Sequence, residues 1–145
     1  MPTAIKIVII DDDEDWIADL SEFITNNFAG VHLEPFTDFT KAENRLTKKK
    51  LDFDLLITDI FPSNESKRTK GFELARLVIA RDIPVIIVTG VSDFVVNSFR
   101  EIKVSDAFDK GSFEPANFIE AVRKALQKKE KKNGTPGDES PKGWI

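Results

Sequence analysis

The sequence predicts an α/β fold, an open doubly wound parallel sheet with helices on both faces. Three observations carry this. Short apolar runs alternate with amphipathic stretches five times along the 145 residues. Three of these runs are apolar at nearly every position, as strands covered on both faces must be. The stretches between them are long enough for the crossover helices that parallel strands require.

The candidate strands are Ile5–Ile10, Val31–Phe36, Asp54–Thr58, Pro84–Thr89 and Ser105–Phe108. The first, third and fourth are the continuous ones, reading Ile-Lys-Ile-Val-Ile-Ile, Asp-Leu-Leu-Ile-Thr and Val-Ile-Ile-Val-Thr. Five helices are predicted between and after them. Over Glu14–Phe28 the residues Ile17, Leu20, Ile24 and Phe28 fall on one stripe. Thr37 is placed to cap a helix over 38–48. Gly71–Arg81 turns Phe72, Ala75, Leu77 and Val78 toward a core, and a fourth helix is expected over Ser92–Ile102. Pro115 suits the first helical position of a last helix that reaches about Lys129. Right-handed crossovers restrict the topology. Of the two common doubly wound orders, the flavodoxin-like 2-1-3-4-5 is preferred over the dinucleotide-binding one, and the absence of Gly-x-Gly-x-x-Gly and of a P-loop removes the usual nucleotide readings.

One domain, residues 1–130, accounts for the folded chain, and residues 131–145 read as a tail. From Asn133 to Ile145 the tail is Gly-, Pro- and charge-rich with almost nothing to bury, so disorder is expected there. The polar segment between Ile60 and Lys70 reads as a loop after the third strand. Cysteine is absent, which excludes disulfides, thiolate metal sites and cysteine nucleophiles. No apolar run approaches the ~18 residues of a membrane span, and the start does not resemble a signal peptide, so no membrane role and a cytoplasmic location are expected. Formal charge is −4; five Lys against three acids from Gln127 onward leave −6 on residues 1–126. So acidic a body argues against nucleic acid as a partner, because phosphate contacts need clustered Lys and Arg.

In doubly wound sheets the site lies beyond the carboxyl ends of the strands. Those ends carry Asp11 and Asp12, Asp59, Thr89 with Gly90, and Lys110 just after the fifth strand. Three carboxylates, a hydroxyl and an ammonium are thus expected to converge. Close carboxylates repel one another unless a cation joins them, and Mg2+ suits an all-oxygen site. Ionised Asp59 can then attack a phosphoryl donor, with Mg2+, Lys110 and Thr89 sharing the charge on the transferred oxygens. Asp13 and Asp15 read instead as helix-start acids, and His32, the one histidine, as a surface or structural residue. The lysines Lys48–Lys50 and Lys128–Lys132 read as solvated faces.

The segments Ile-Val-Ile-Ile-Asp-Asp, Leu-Ile-Thr-Asp-Ile, Val-Ile-Ile-Val-Thr-Gly and Ala-Phe-Asp-Lys, in this order and each at a strand end, resemble the receiver domains of two-component response regulators. The resemblance spans about residues 4–128. It implies a stand-alone phosphoacceptor rather than a turnover enzyme. Asp59 would accept the phosphoryl group from a histidine kinase or histidine phosphotransfer protein. Asp11, Asp12, Asp59 and the Phe61 backbone carbonyl would hold Mg2+, with Thr89 as switch hydroxyl and Lys110 as phosphate-binding lysine. A downstream protein partner would read the modified state, and a homodimer through the predicted fourth and fifth helices stays open. The chain departs from the family in three places. Gly111 replaces the proline that usually follows the lysine, Ala107 occupies the usual switch-aromatic position, and the loop after Asp59 is remodelled, with Pro62 one residue early. The alternatives are a receiver-like binding module that works without phosphorylation and an aspartate-nucleophile phosphohydrolase. The second is disfavoured by Phe61, where an acid/base residue would stand.

Phe61 and Val91, the second residues after Asp59 and Thr89, are apolar and cannot orient an attacking water. The aspartyl phosphate should therefore outlast that of a Phe61→Asn, Val91→Glu double variant about tenfold, equivalent to ~1.4 kcal/mol of barrier. Phosphate release after donor removal measures it; equal lifetimes would exclude the apolar gate.

Overall fold

A computed structural model describes residues 4–59, 70–90 and 103–132. The elements run β1 (Ile5–Ile10), α1 (Glu14–Asn27), β2 (Val31–Phe36), α2 (Phe39–Leu46), β3 (Leu55–Thr58), α3 (Lys70–Ala80), β4 (Val85–Thr89), β5 (Asp106–Asp109), a short 3-10 turn (Lys110–Ser112) and α4 (Pro115–Lys132). The expected helix over Ser92–Ile102, the loop carrying Phe61, Val91 and the tail from Asn133 lie outside the described residues. None of the described helices is long and apolar enough to cross a membrane.

All five strands are parallel in the order β2-β1-β3-β4-β5, the flavodoxin-like arrangement. The edge position of β2 explains why it tolerates Pro35, which pairs with Ile9 on one side only. The central strands are buried at every residue of β3 and β4. Side-chain alternation divides the core into two. Val8, Ile10, Leu56, Val85 and Ile87 face α2 and α3, meeting Phe39, Leu46, Leu74 and Val78. Ile7, Ile9, Leu55, Ile57, Ile86 and Val88 face the other way, onto Leu20, Ile24, Phe118 and Val122 of α1 and α4. The continuous apolar runs are therefore two interleaved period-2 faces, each with its own helix layer.

Helix starts follow capping chemistry. The Asp13 carboxylate accepts the Asp15 N–H at 2.9 Å, which makes it the N-cap of α1. For α2 the cap is Asp38 rather than Thr37. Its carboxylate accepts from Thr40 N–H at 2.8 Å and Lys41 N–H at 3.3 Å, and the helix ends at Leu46, two residues before the expected 48. A carboxylate one residue further on gives a charge-assisted cap that the neutral hydroxyl cannot match. At the sheet's edge, Arg45 of α2 donates twice to Glu34 of β2 at 2.9 Å and once to Asp52 at 2.7 Å, tying helix to strand.

Phe118 is fully enclosed between the sheet and α1, in contact with two other rings. Phe118→Ala should cost about 3–5 kcal/mol, read from urea unfolding. A loss under ~1 kcal/mol would mean that the site collapses around the missing ring.

Candidate functional site

Backbone ladders set the site. The Asp11 N–H donates to the Phe36 carbonyl at 3.0 Å and the Asp59 N–H to the Ile10 carbonyl at 2.9 Å, so each aspartate sits one step beyond the end of its strand, side by side. Both are buried, at 1% and 5% exposure, whereas Asp12 is half-buried at the rim. One carboxylate oxygen from each of Asp11, Asp12 and Asp59 lies within 4.8 Å of the other two. Thr89 ends β4, buried, and stands opposite Asp109 in the register with β5.

Lys110 enters from the turn after β5. Its ammonium donates to Asp59 Oδ2 at 3.0 Å and forms an ion pair with Asp11 Oδ2 at 2.8 Å. That Asp11 oxygen is fully enclosed, with the ammonium beside it, while Oδ1 accepts from the Asp13 N–H at 2.9 Å. Burial pushes the Asp11 carboxyl up to about 6, with the nearby Asp59 charge adding to the effect and Lys110 and the Asp13 amide opposing it. Burial pulls the Lys110 ammonium down, but the Asp11 contact and the charges of Asp59 and Asp11 outweigh it and leave it above its ordinary value.

Asp11, Asp12, Asp59 and Lys110 therefore converge at one end of the sheet as expected, with Thr89 ending β4 at that same end, although the Phe61 carbonyl lies outside the described residues. Gly111 proves compatible with the turn. Its N–H donates to Asp109 Oδ1 at 2.9 Å, closing a small side-chain turn that presents Lys110, a bond that a proline at 111 could not make. Ala107 packs against the α2/α3 layer, while Phe108 turns to the α1/α4 layer, so no aromatic side chain stands at the switch position of β5.

Sequence reasoning missed three contributors. The Thr58 hydroxyl donates to the Asp59 carbonyl at 2.8 Å and pins the backbone there. Asp109 shapes the lysine turn. Trp16 of α1 places its ring under the Lys110 ammonium, 5.2 Å from the ring centroid. A buried threonine before a site aspartate is a legible signal, but a tryptophan on an amphipathic helix reads first as core.

The donor set is all oxygen and acidic, which fits a hard divalent cation. Ligand oxygens about 2.1 Å from Mg2+ stand at most ~4.2 Å apart, so the spacing found needs only a small side-chain adjustment.

No protein-family model and no curated protein matches the sequence. The fold, in contrast, has many counterparts. A response-regulator receiver domain protein of Methanospirillum hungatei superposes with TM-score 0.72 at 20% identity, over 90% of this chain and 99% of that one. The signal receiver domain of an HD domain-containing protein from Pseudomonas fluorescens gives 0.71 at 17% identity, over 89% and 99%. The BeF3-activated receiver domain of DrrB from Thermotoga maritima gives 0.70 at 21% identity, over 86% and 99%. At such identities the likeness is one of fold. The chain has the response-regulator receiver fold.

An unfolded aspartate releases its proton near 3.8, whereas folded Asp11 keeps it to about 6. The stability that the neutral form carries is thus complete below the lower value and is lost as pH rises toward the upper one, by roughly 2–3 kcal/mol. Urea unfolding between pH 4 and 7 with chelator present should show this loss relative to Asp11→Asn. Parallel curves for the two proteins would contradict it.

Proposed function

We propose that the chain is a phosphoacceptor receiver in a two-component phosphorelay, with Asp59 as the acceptor. The observation that carries this reading is the Lys110 ammonium held between Asp59 and Asp11 in a receiver fold. It offsets part of the charge of a buried carboxylate pair at the end of the sheet where this fold class places its chemistry.

An Asp59 oxygen attacks the phosphorus of an N-phosphorylated imidazole. The new O–P bond forms as the N–P bond breaks, and the imidazole nitrogen leaves with the bonding pair and takes a proton from solvent. Lys110 already donates to the attacking carboxylate, so its ammonium is within one side-chain swing of the transferred oxygens. The Thr89 hydroxyl, at the adjacent strand end, is the second donor. Asp11 and Asp12, with Asp59 and the Phe61 carbonyl, would hold Mg2+, which when bound supplies positive charge to the transferring group. Thr58 and Asp109 keep the acceptor backbone and the lysine turn in place. The donor is a histidine kinase or histidine phosphotransfer protein, and a downstream protein reads the product state from a cytoplasmic setting.

Incubation with Mg2+ and a small acyl phosphate should add about 80 Da, one phosphoryl group, to the intact mass. Asp59→Asn should fold and remain unmodified. An adduct of equal yield in the variant would overturn the assignment, and an unmodified wild type would favour the phosphorylation-independent binding module.

A further inference from the structure

Lysine has a flexible four-carbon stem and three rotating donors, so a charge pair alone leaves it many arrangements. At Lys110 the side chain is largely enclosed, at 16% exposure, and its Cδ passes 4.0 Å from where a Cβ on Gly90 would sit. The face of Trp16 lies against the ammonium, 5.2 Å from the centroid. That distance is within the range where an aromatic quadrupole attracts a cation.

The ring is held from behind. Phe113 meets Trp16 edge-on at 5.2 Å and 84°, and itself stacks on Phe23 of the same helix at 6.1 Å and 20°. Phe113 also packs 5.4 Å from Phe118 of α4 and 5.9 Å from Phe108 of β5. The surface under the ammonium is thus braced by α1, β5 and α4 together.

Of the three groups that the described residues place against the ammonium, two change partners in the proposed reaction. Asp59 becomes the nucleophile and Asp11 a ligand to the cation, so neither can keep Lys110 in place throughout. The Trp16 face has no charge to lose and no bond to make. We propose that Trp16 is a positioning residue, holding the Lys110 ammonium over the site while its carboxylate partners are drawn away. This rests on the receiver reading above.

The test uses full-length Trp16→Phe, Trp16→Leu and Trp16→Ala proteins with saturating Mg2+ and a small acyl phosphate, following adduct mass against time. Phenylalanine keeps a π-face and should react within about twofold of wild type, whereas leucine fills space without one and should react about tenfold slower, like alanine. An independent signature needs no donor. The Lys110 ε-methylene protons, lying over the indole, should resonate upfield in wild type and return toward the ordinary lysine position in Trp16→Leu. A leucine variant that reacts as fast as wild type overturns the proposal, as does a wild-type lysine without the ring shift. Failure of the wild type itself to form an adduct overturns the receiver reading, and the positioning role with it, by a result distinct from either.

Discussion

Two aspartates, Asp11 and Asp59, are buried side by side beyond β1 and β3, and the ammonium of Lys110 is 2.8 and 3.0 Å from them. Taking two carboxylates out of water at this separation is unfavourable in itself, because each resists desolvation and each repels the other. One lysine offsets part of that cost and leaves part standing. The portion left is visible in Asp11, whose carboxyl is pushed up to about 6. The surrounding structure is arranged to keep this arrangement from relaxing. The strand ladders hold the aspartate backbones, the Thr58 hydroxyl fixes the Asp59 carbonyl, and the Asp109 turn points the lysine inward.

Such a site is suited to accept charge. A group that brings a cation relieves the carboxylate repulsion, and a group that brings phosphoryl oxygens gives the lysine a new partner. The stability given up at the strand ends is balanced elsewhere, by two apolar layers on a sheet whose central strands are wholly buried.

The packing around the lysine turn is one-sided. In β5, alternation sends Ala107 to the α2/α3 layer and Phe108 to the α1/α4 layer. The aromatic side chains near Lys110 therefore gather on one side, in the group of Trp16, Phe23, Phe108, Phe113 and Phe118.

Much of this was legible in the residues alone. Period-2 and period-3.6 burial are local properties, so Ile5–Ile10 and Val31–Phe36 match their observed strands end to end, and the other three strands fall within a residue of the reading. The site residues were legible because strand ends in a doubly wound sheet converge by topology, whatever the side chains do. What lay beyond the sequence was every contact that depends on how distant segments are set against one another. That Lys110 bridges Asp11 and Asp59 and that Trp16 lies beneath it depend on rotamers and register across the folded chain. Local composition determines which face of an element is apolar. Only the assembled sheet and helices decide which side chain from the far end of the chain meets it.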